Sequence, residues 1–112
     1  MPADANPNGD IFGGWLLSWM DLAGGSVAAQ VSKGRVVTVH IDGMSFLNPV
    51  HMGDEVSIYA RLVGTGRSSM KIDIVAWRRS REAEESVKVT EGAFTYVAID
   101  EQRRPRPVEG AI

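Results

Sequence analysis

Gly14-Trp15-Leu16-Leu17-Ser18-Trp19-Met20-Asp21-Leu22-Ala23-Gly24-Gly25-Ser26-Val27-Ala28-Ala29-Gln30-Val31 is the stretch on which the fold turns. Its pattern predicts a helix over residues 14–31, about 27 Å long at the α-helical rise. The apolar side chains are not confined to one stripe: Trp15, Leu16, Trp19, Met20, Leu22 and Val27 already spread round most of the circumference. Such a helix must be covered on most sides. It is no membrane span, because Ser18, Asp21, Gly24, Gly25, Ser26 and Gln30 interrupt it, and a span needs about twenty predominantly apolar residues. A buried helix of a soluble protein is expected.

Beyond Gly34 the period changes from helical to two. Val37, Val39 and Ile41 alternate with Thr38, His40 and Asp42; Val56, Ile58, Ala60 and Leu62 alternate with Ser57, Tyr59 and Arg61. Met70, Ile72, Ile74 and Ala76 form a third series, and residues 87–99 a fourth, with Val89, Ala93, Thr95, Val97 and Ile99 expected on one face. Each reads as a half-buried strand. The connections carry turn chemistry: Asn48-Pro49 with Gly53-Asp54, Gly64-Thr65-Gly66, and a charged loop over 78–85. Short connections predict antiparallel neighbours. The fold class is therefore α+β, one long helix wrapped by a curved antiparallel sheet. Four strands cover one side of the helix, so a second copy of the chain is expected on the other, at least as a dimer.

The chain has 112 residues, enough for a single domain spanning 1–112. With 44% hydrophobic and 23% charged residues its composition is that of an ordered globular protein. A net charge of −2 offers no general attraction to nucleic acid or to an anionic membrane, and neither partner is expected. The absence of cysteine excludes disulfides, thiolate zinc sites and a cysteine nucleophile. The opening Met1-Pro2-Ala3-Asp4-Ala5-Asn6 has no basic, apolar leader character, and the expected location is the cytoplasm. The first ten residues are rich in turn formers.

Asp21 is the one charged side chain within the helical stretch. An unpaired buried carboxylate is costly, so it either finds donors, sits at a solvated break, or works chemically. Gly14 and Asp21, seven residues apart, share a helix face but stand roughly 10 Å from one another. Two helices meeting antiparallel across a dimer axis would bring Gly14 of one beside Asp21 of the other. Gly13-Gly14 at the helix start could expose backbone N–H groups as an oxyanion hole, or could simply shape a tight loop. The usual nucleophile elbow is missing. His40 and His51 are far apart and are read as surface residues, so neither a metal nor a resident cofactor is expected. Arg78, Arg79 and Arg81, like Arg103, Arg104 and Arg106, suit phosphate binding or a solvated, charge-balanced loop.

The run Asp4-Ala5-Asn6-Pro7-Asn8-Gly9-Asp10-Ile11-Phe12-Gly13-Gly14, continuing to Asp21, closely resembles the hallmark segment of the YciA-type acyl-CoA thioesterases. The likeness continues through Gly34-Arg35-Val36-Val37-Thr38-Val39, Met44-Ser45-Phe46-Leu47-Asn48-Pro49-Val50, Gly66-Arg67-Ser68-Ser69 and Phe94-Thr95-Tyr96-Val97-Ala98-Ile99-Asp100. The resemblance implies a hotdog fold, paired into a dimer with a continuous sheet and often assembled further as a trimer of dimers. Acyl-CoA is then the substrate and CoA a product. Asp21 would be the catalytic carboxylate, as general base or nucleophile, and Gly14 a backbone donor from the partner subunit. Asp10 would help to order the site, while Asn6, Gly9, Gly13, Phe46, Arg67, Ser68 and Ser69 would contact substrate. Members of this family carry a further strand ahead of the motif, where this sequence has Met1-Pro2-Ala3. A non-catalytic acyl-CoA-binding module of the same fold is the alternative. A dehydratase would need a histidine in the helix motif, and there is none.

Overall fold

A computed structural model describes residues 13–80 and 84–108. One helix, α1 (Gly13–Ser32), is followed by four strands: β1 (Val36–Phe46), β2 (Glu55–Thr65), β3 (Ser69–Arg79) and β4 (Val87–Ala98). The helix is one residue longer at each end than its sequence pattern predicts, and every expected strand is present. All pairings are antiparallel, in the order β1-β4-β3-β2.

The helix-facing side of the sheet is built by register. Met70, Ile72 and Ile74 of β3 stand opposite Tyr96, Phe94 and Gly92 of β4, and Leu62, Ala60 and Ile58 of β2 lie opposite Ile72, Ile74 and Ala76. Leu16, Met20 and Ala28 of α1 bury themselves on this surface, each at most 1% exposed. Burial of such side chains is worth roughly 1.5–3 kcal/mol each. At its far end the helix stops where Lys33 takes a left-handed conformation (φ 58°) and the Gly34 N–H reaches back to the Ala29 carbonyl at 3.2 Å. Arg106 closes the end: its Nη2 donates to the Ser32 carbonyl and its Nε to that of Ile99, both at 3.0 Å.

Three expectations need correction. The first concerns neighbours: β1 and β2 follow one another in the chain but lie at opposite edges of the sheet. Residues 47–54 carry the chain across, tied by Leu47 N–H to the Val89 carbonyl, Asn48 Nδ2 to the Lys88 carbonyl (both 2.7 Å), and the Pro49 carbonyl to Arg78 Nε at 2.6 Å. Val50 plugs the core on the way.

The second concerns β4. Its buried face is Thr90, Phe94, Tyr96 and Ala98, in place of the expected Ala93, Thr95 and Val97. β4 carries apolar residues on both faces, Phe94, Tyr96 and Ala98 on one and Val89, Ala93 and Val97 on the other, so alternation does not reveal which face turns inward. Val89 and Ile99 are nevertheless buried.

The third concerns β1. A register shift between Thr38 and His40 leaves Val39 54% exposed, while Thr38 turns to the helix and Ile41 aligns with Phe94. One inserted residue reverses the face of everything beyond it.

Candidate active site

Asp21 lies halfway along α1, where the half-buried turn crosses above β4. Its neighbours on the helix explain why it is noticed: Leu16 and Met20 are sunk in the core, whereas Trp19 and Leu22 are 51% and 66% exposed. Trp19 leans on Trp15 with ring centroids 6.0 Å apart. The Asp21 carboxylate thus stands at the boundary between the core and an uncovered apolar face.

Two hydroxyls converge on one of its oxygens. Thr38 Oγ1 donates to Oδ1 at 2.7 Å, and the Tyr96 phenol oxygen lies 2.9 Å from Oδ1 and 2.9 Å from the Asp21 backbone carbonyl. Among the described residues no donor reaches Oδ2. Hydrogen bonds to a carboxylate are stronger than neutral ones and offset part of the cost of taking it from water. Burial first, and then the hydrogen bond and charge of Asp21, push the Tyr96 phenol well above the usual tyrosine range, so it is a donor at every physiological pH.

Gly24 makes the close approach of helix and phenol possible. A methyl group there would collide with the Tyr96 hydroxyl and the Ile74 side chain. A glycine inside a helix costs about 1 kcal/mol relative to alanine, and here it opens the slot that the ring occupies. Sequence reasoning missed Thr38, Tyr96 and Gly24 as parts of this site. The signal that could have found Gly24 is its place one turn beyond the lone carboxylate of an apolar helix.

The remaining expected residues fall in different places. Gly13 and Gly14 do begin the helix, and nothing lies within 4 Å of where a Gly14 side chain would project. First-turn N–H groups have no partner within a helix, so this end can present donors. Phe46, 52% exposed, sits at the same end, lining an apolar groove of about 330 Å³ with Leu16, Leu47, Pro49, Val50 and Val89. Arg67 and Ser68 form the β2–β3 turn and Ser69 opens β3, beside the opposite end of the helix. Their carbonyls bind the Val108, Ala98 and Gly66 N–H groups respectively, which is framework chemistry. Asn6, Gly9 and Asp10 lie outside the described residues, as does Arg81.

The two arginine groups occupy opposite ends of the sheet. Arg79 pairs with Glu55 at 3.1 Å, Arg78 holds Pro49, and Arg106 caps α1. His40 and His51 are both exposed. A second concavity, about 500 Å³, is lined by Asp42, Tyr59, Arg61, Asp73 and Glu91, and neither concavity includes Asp21. Among the described residues no three His, Asp or Glu side chains gather as metal ligands, and no helix is long and apolar enough to cross a membrane.

Known proteins resemble this chain in sequence and fold. The family model of the thioesterase superfamily matches residues 8–85. The acyl-CoA thioester hydrolase YciA of Escherichia coli is 50% identical over 97% of this chain and 86% of its own length. A hexameric thioesterase from Yersinia pestis superposes with a TM-score of 0.92 at 52% identity, covering 96% of this chain and 88% of that one. A hexameric hotdog-fold thioesterase of Campylobacter jejuni gives 0.88 at 36% identity, over 99% and 86% of the two chains. With its single helix on a curved four-stranded antiparallel sheet and its motif-bearing first half, the chain belongs to the thioesterase superfamily and has the hotdog fold.

Proposed function

We propose that this protein hydrolyses acyl-CoA thioesters to a free acid and CoA, as a homo-oligomer, with Asp21 as the general base. The observation that carries the reading is the Asp21 carboxylate itself: half-buried on an apolar helix, held through Oδ1 by Thr38 and Tyr96, with Oδ2 left for a water. Water attacks the thioester carbonyl as its proton passes to Asp21; the tetrahedral oxyanion collapses, the C–S bond breaks, and the thiolate leaves as CoA after protonation. The donors for that oxyanion are assigned to the Gly13-Gly14 helix start.

Seven residues of helix separate Gly14 from Asp21 by about 10 Å, too far to serve one carbonyl. The two halves of the site therefore come from two copies, which gives a function to the exposed Trp19 and Leu22 beside Asp21. The hexameric relatives support an assembly of this kind, a dimer or a trimer of dimers. The apolar groove at Phe46 adjoins the helix start and suits an apolar part of the substrate. Arg67, Ser68 and Ser69 are assigned to the polar part, with Asn6, Gly9 and Asp10 completing the motif loop. The chemistry asks for no cofactor or metal, since base, water and backbone donors suffice. A cytoplasmic location fits a cysteine-free chain acting on CoA esters.

Thiol release from a panel of acyl-CoAs tests this. Asp21→Asn is expected to assemble normally and to lose roughly 10²–10⁴-fold in turnover. Wild-type-like turnover in that variant removes Asp21 from the mechanism, while binding of acyl-CoA without turnover by the native protein replaces the hydrolase with a binding module.

A further inference from the structure

We infer that Tyr96 is the positioning residue for Asp21, its phenol fixing the carboxylate so that Oδ2 is presented to the attacking water. The inference rests on the hydrolase reading above. One phenolic proton faces two acceptors of the same residue, the Asp21 carbonyl and Oδ1, both at 2.9 Å. A donor shared between backbone and side chain of one aspartate sets both torsions of that side chain, because the carboxylate cannot turn without leaving the phenol. Thr38 alone would not do this, since it holds Oδ1 without touching the backbone.

Tyr96 is also the stiffest anchor available. It is 1% exposed, its ring stacks on Phe94 at 6.4 Å and 14°, and β4 is hydrogen-bonded on both flanks, to β1 and β3. Thr38 by contrast belongs to the edge strand β1. Packing against Phe94 and Ile74 would be served equally by phenylalanine, so what the hydroxyl adds is polar: it donates to the Asp21 carboxylate and carbonyl, with the Thr38 hydroxyl and the Gly25 N–H beside it. The glycine at 24 completes the device, for any larger residue would push the phenol off the helix. Catalytic groups are held to fractions of an ångström by such supporting bonds.

A double-mutant cycle decides the matter, with acyl-CoA hydrolysis, thermal melting and oligomeric state measured on wild type, Tyr96→Phe, Asp21→Asn and the double variant. Tyr96→Phe is expected to lower kcat about tenfold or more, with KM within about twofold and assembly unchanged. In the Asp21→Asn background the same change should cost nothing further, because the group it positions is gone. Gly24→Ala, which displaces the phenol without deleting it, should give the same pattern. Equal fractional losses in both backgrounds, or a lowered melting temperature with native kcat, would reduce Tyr96 to a structural tie and overturn the inference. A native protein without any turnover fails the hydrolase reading and this inference together; native turnover left intact by Tyr96→Phe fails this inference alone.

Discussion

β1 and β3 are strands of equal length, eleven residues each, and the molecule treats them in opposite ways. β3 runs between β2 and β4 with unbroken alternation; Met70, Ile72, Ile74 and Ala76 are at most 1% exposed. β1 pairs on one side alone, is bulged twice, and leaves Val39, Ile41, Phe46 and the following Leu47 at 36–60% exposure. The centre is a place where side chains have one possible environment. The edge keeps apolar side chains and backbone pairing groups in reserve, a condition that solitary proteins avoid. The Asp21 carboxylate is held from both regions at once, by Tyr96 of the stiff centre and Thr38 of the unfinished edge. The rigid centre and the unfinished edge of one sheet thus meet at one oxygen.

That division can be broken at its strongest point first. Phe94→Ala removes a fully buried ring beneath Ile72 and beside Tyr96, and should destabilise the fold by about 3–5 kcal/mol, read from denaturant or thermal unfolding. A loss below about 1 kcal/mol would mean that the centre is not the structural keel described here. Thr38→Val probes the seam. Losing this solvent-exposed hydrogen bond to the carboxylate should lower kcat about tenfold or more, while the melting temperature hardly moves because water can replace the donor. Thr38→Ser should restore most of it, and failure of that rescue would point to shape rather than the hydroxyl. The smallest effect on folding is expected at the edge. Val39→Lys should change the stability of the folded subunit by no more than about 0.5 kcal/mol, yet weaken assembly in sedimentation, because a lysine on an open edge opposes pairing. Intact assembly in that variant would move the interface away from β1.

Much of this architecture is legible in the chain. Residues 14–31 declare a helix through an apolar pattern too broad for a surface element, and Asp21 within it is conspicuous by being alone. β2 and β3 alternate cleanly, and the faces read from Val56 to Leu62 and from Met70 to Ala76 are the ones that meet the core. The motif running from Asp4 to Asp21 points to the family. What could not be read has identifiable physical causes. The bulge at Val39 is one extra residue in a β pattern, and nothing local distinguishes it from a regular position before pairing with β4 sets the register. β4 is apolar on both sides, so its inward face was decided by the neighbours that it aligns with, Ile72 opposite Phe94 and Met70 opposite Tyr96.

The sequence by itself determined the elements, their order and the lone helical carboxylate, because periodicity and charge are properties of adjacent residues. The tertiary structure alone decided which hydroxyls hold that carboxylate. Thr38 and Tyr96 lie 17 and 75 positions from Asp21, and they reach the same Oδ1 because the register of β1 on β4 sets Thr38 opposite Tyr96 and a glycine slot admits the phenol. Contacts of that range depend on register and close approach, which exist once the sheet has formed round the helix.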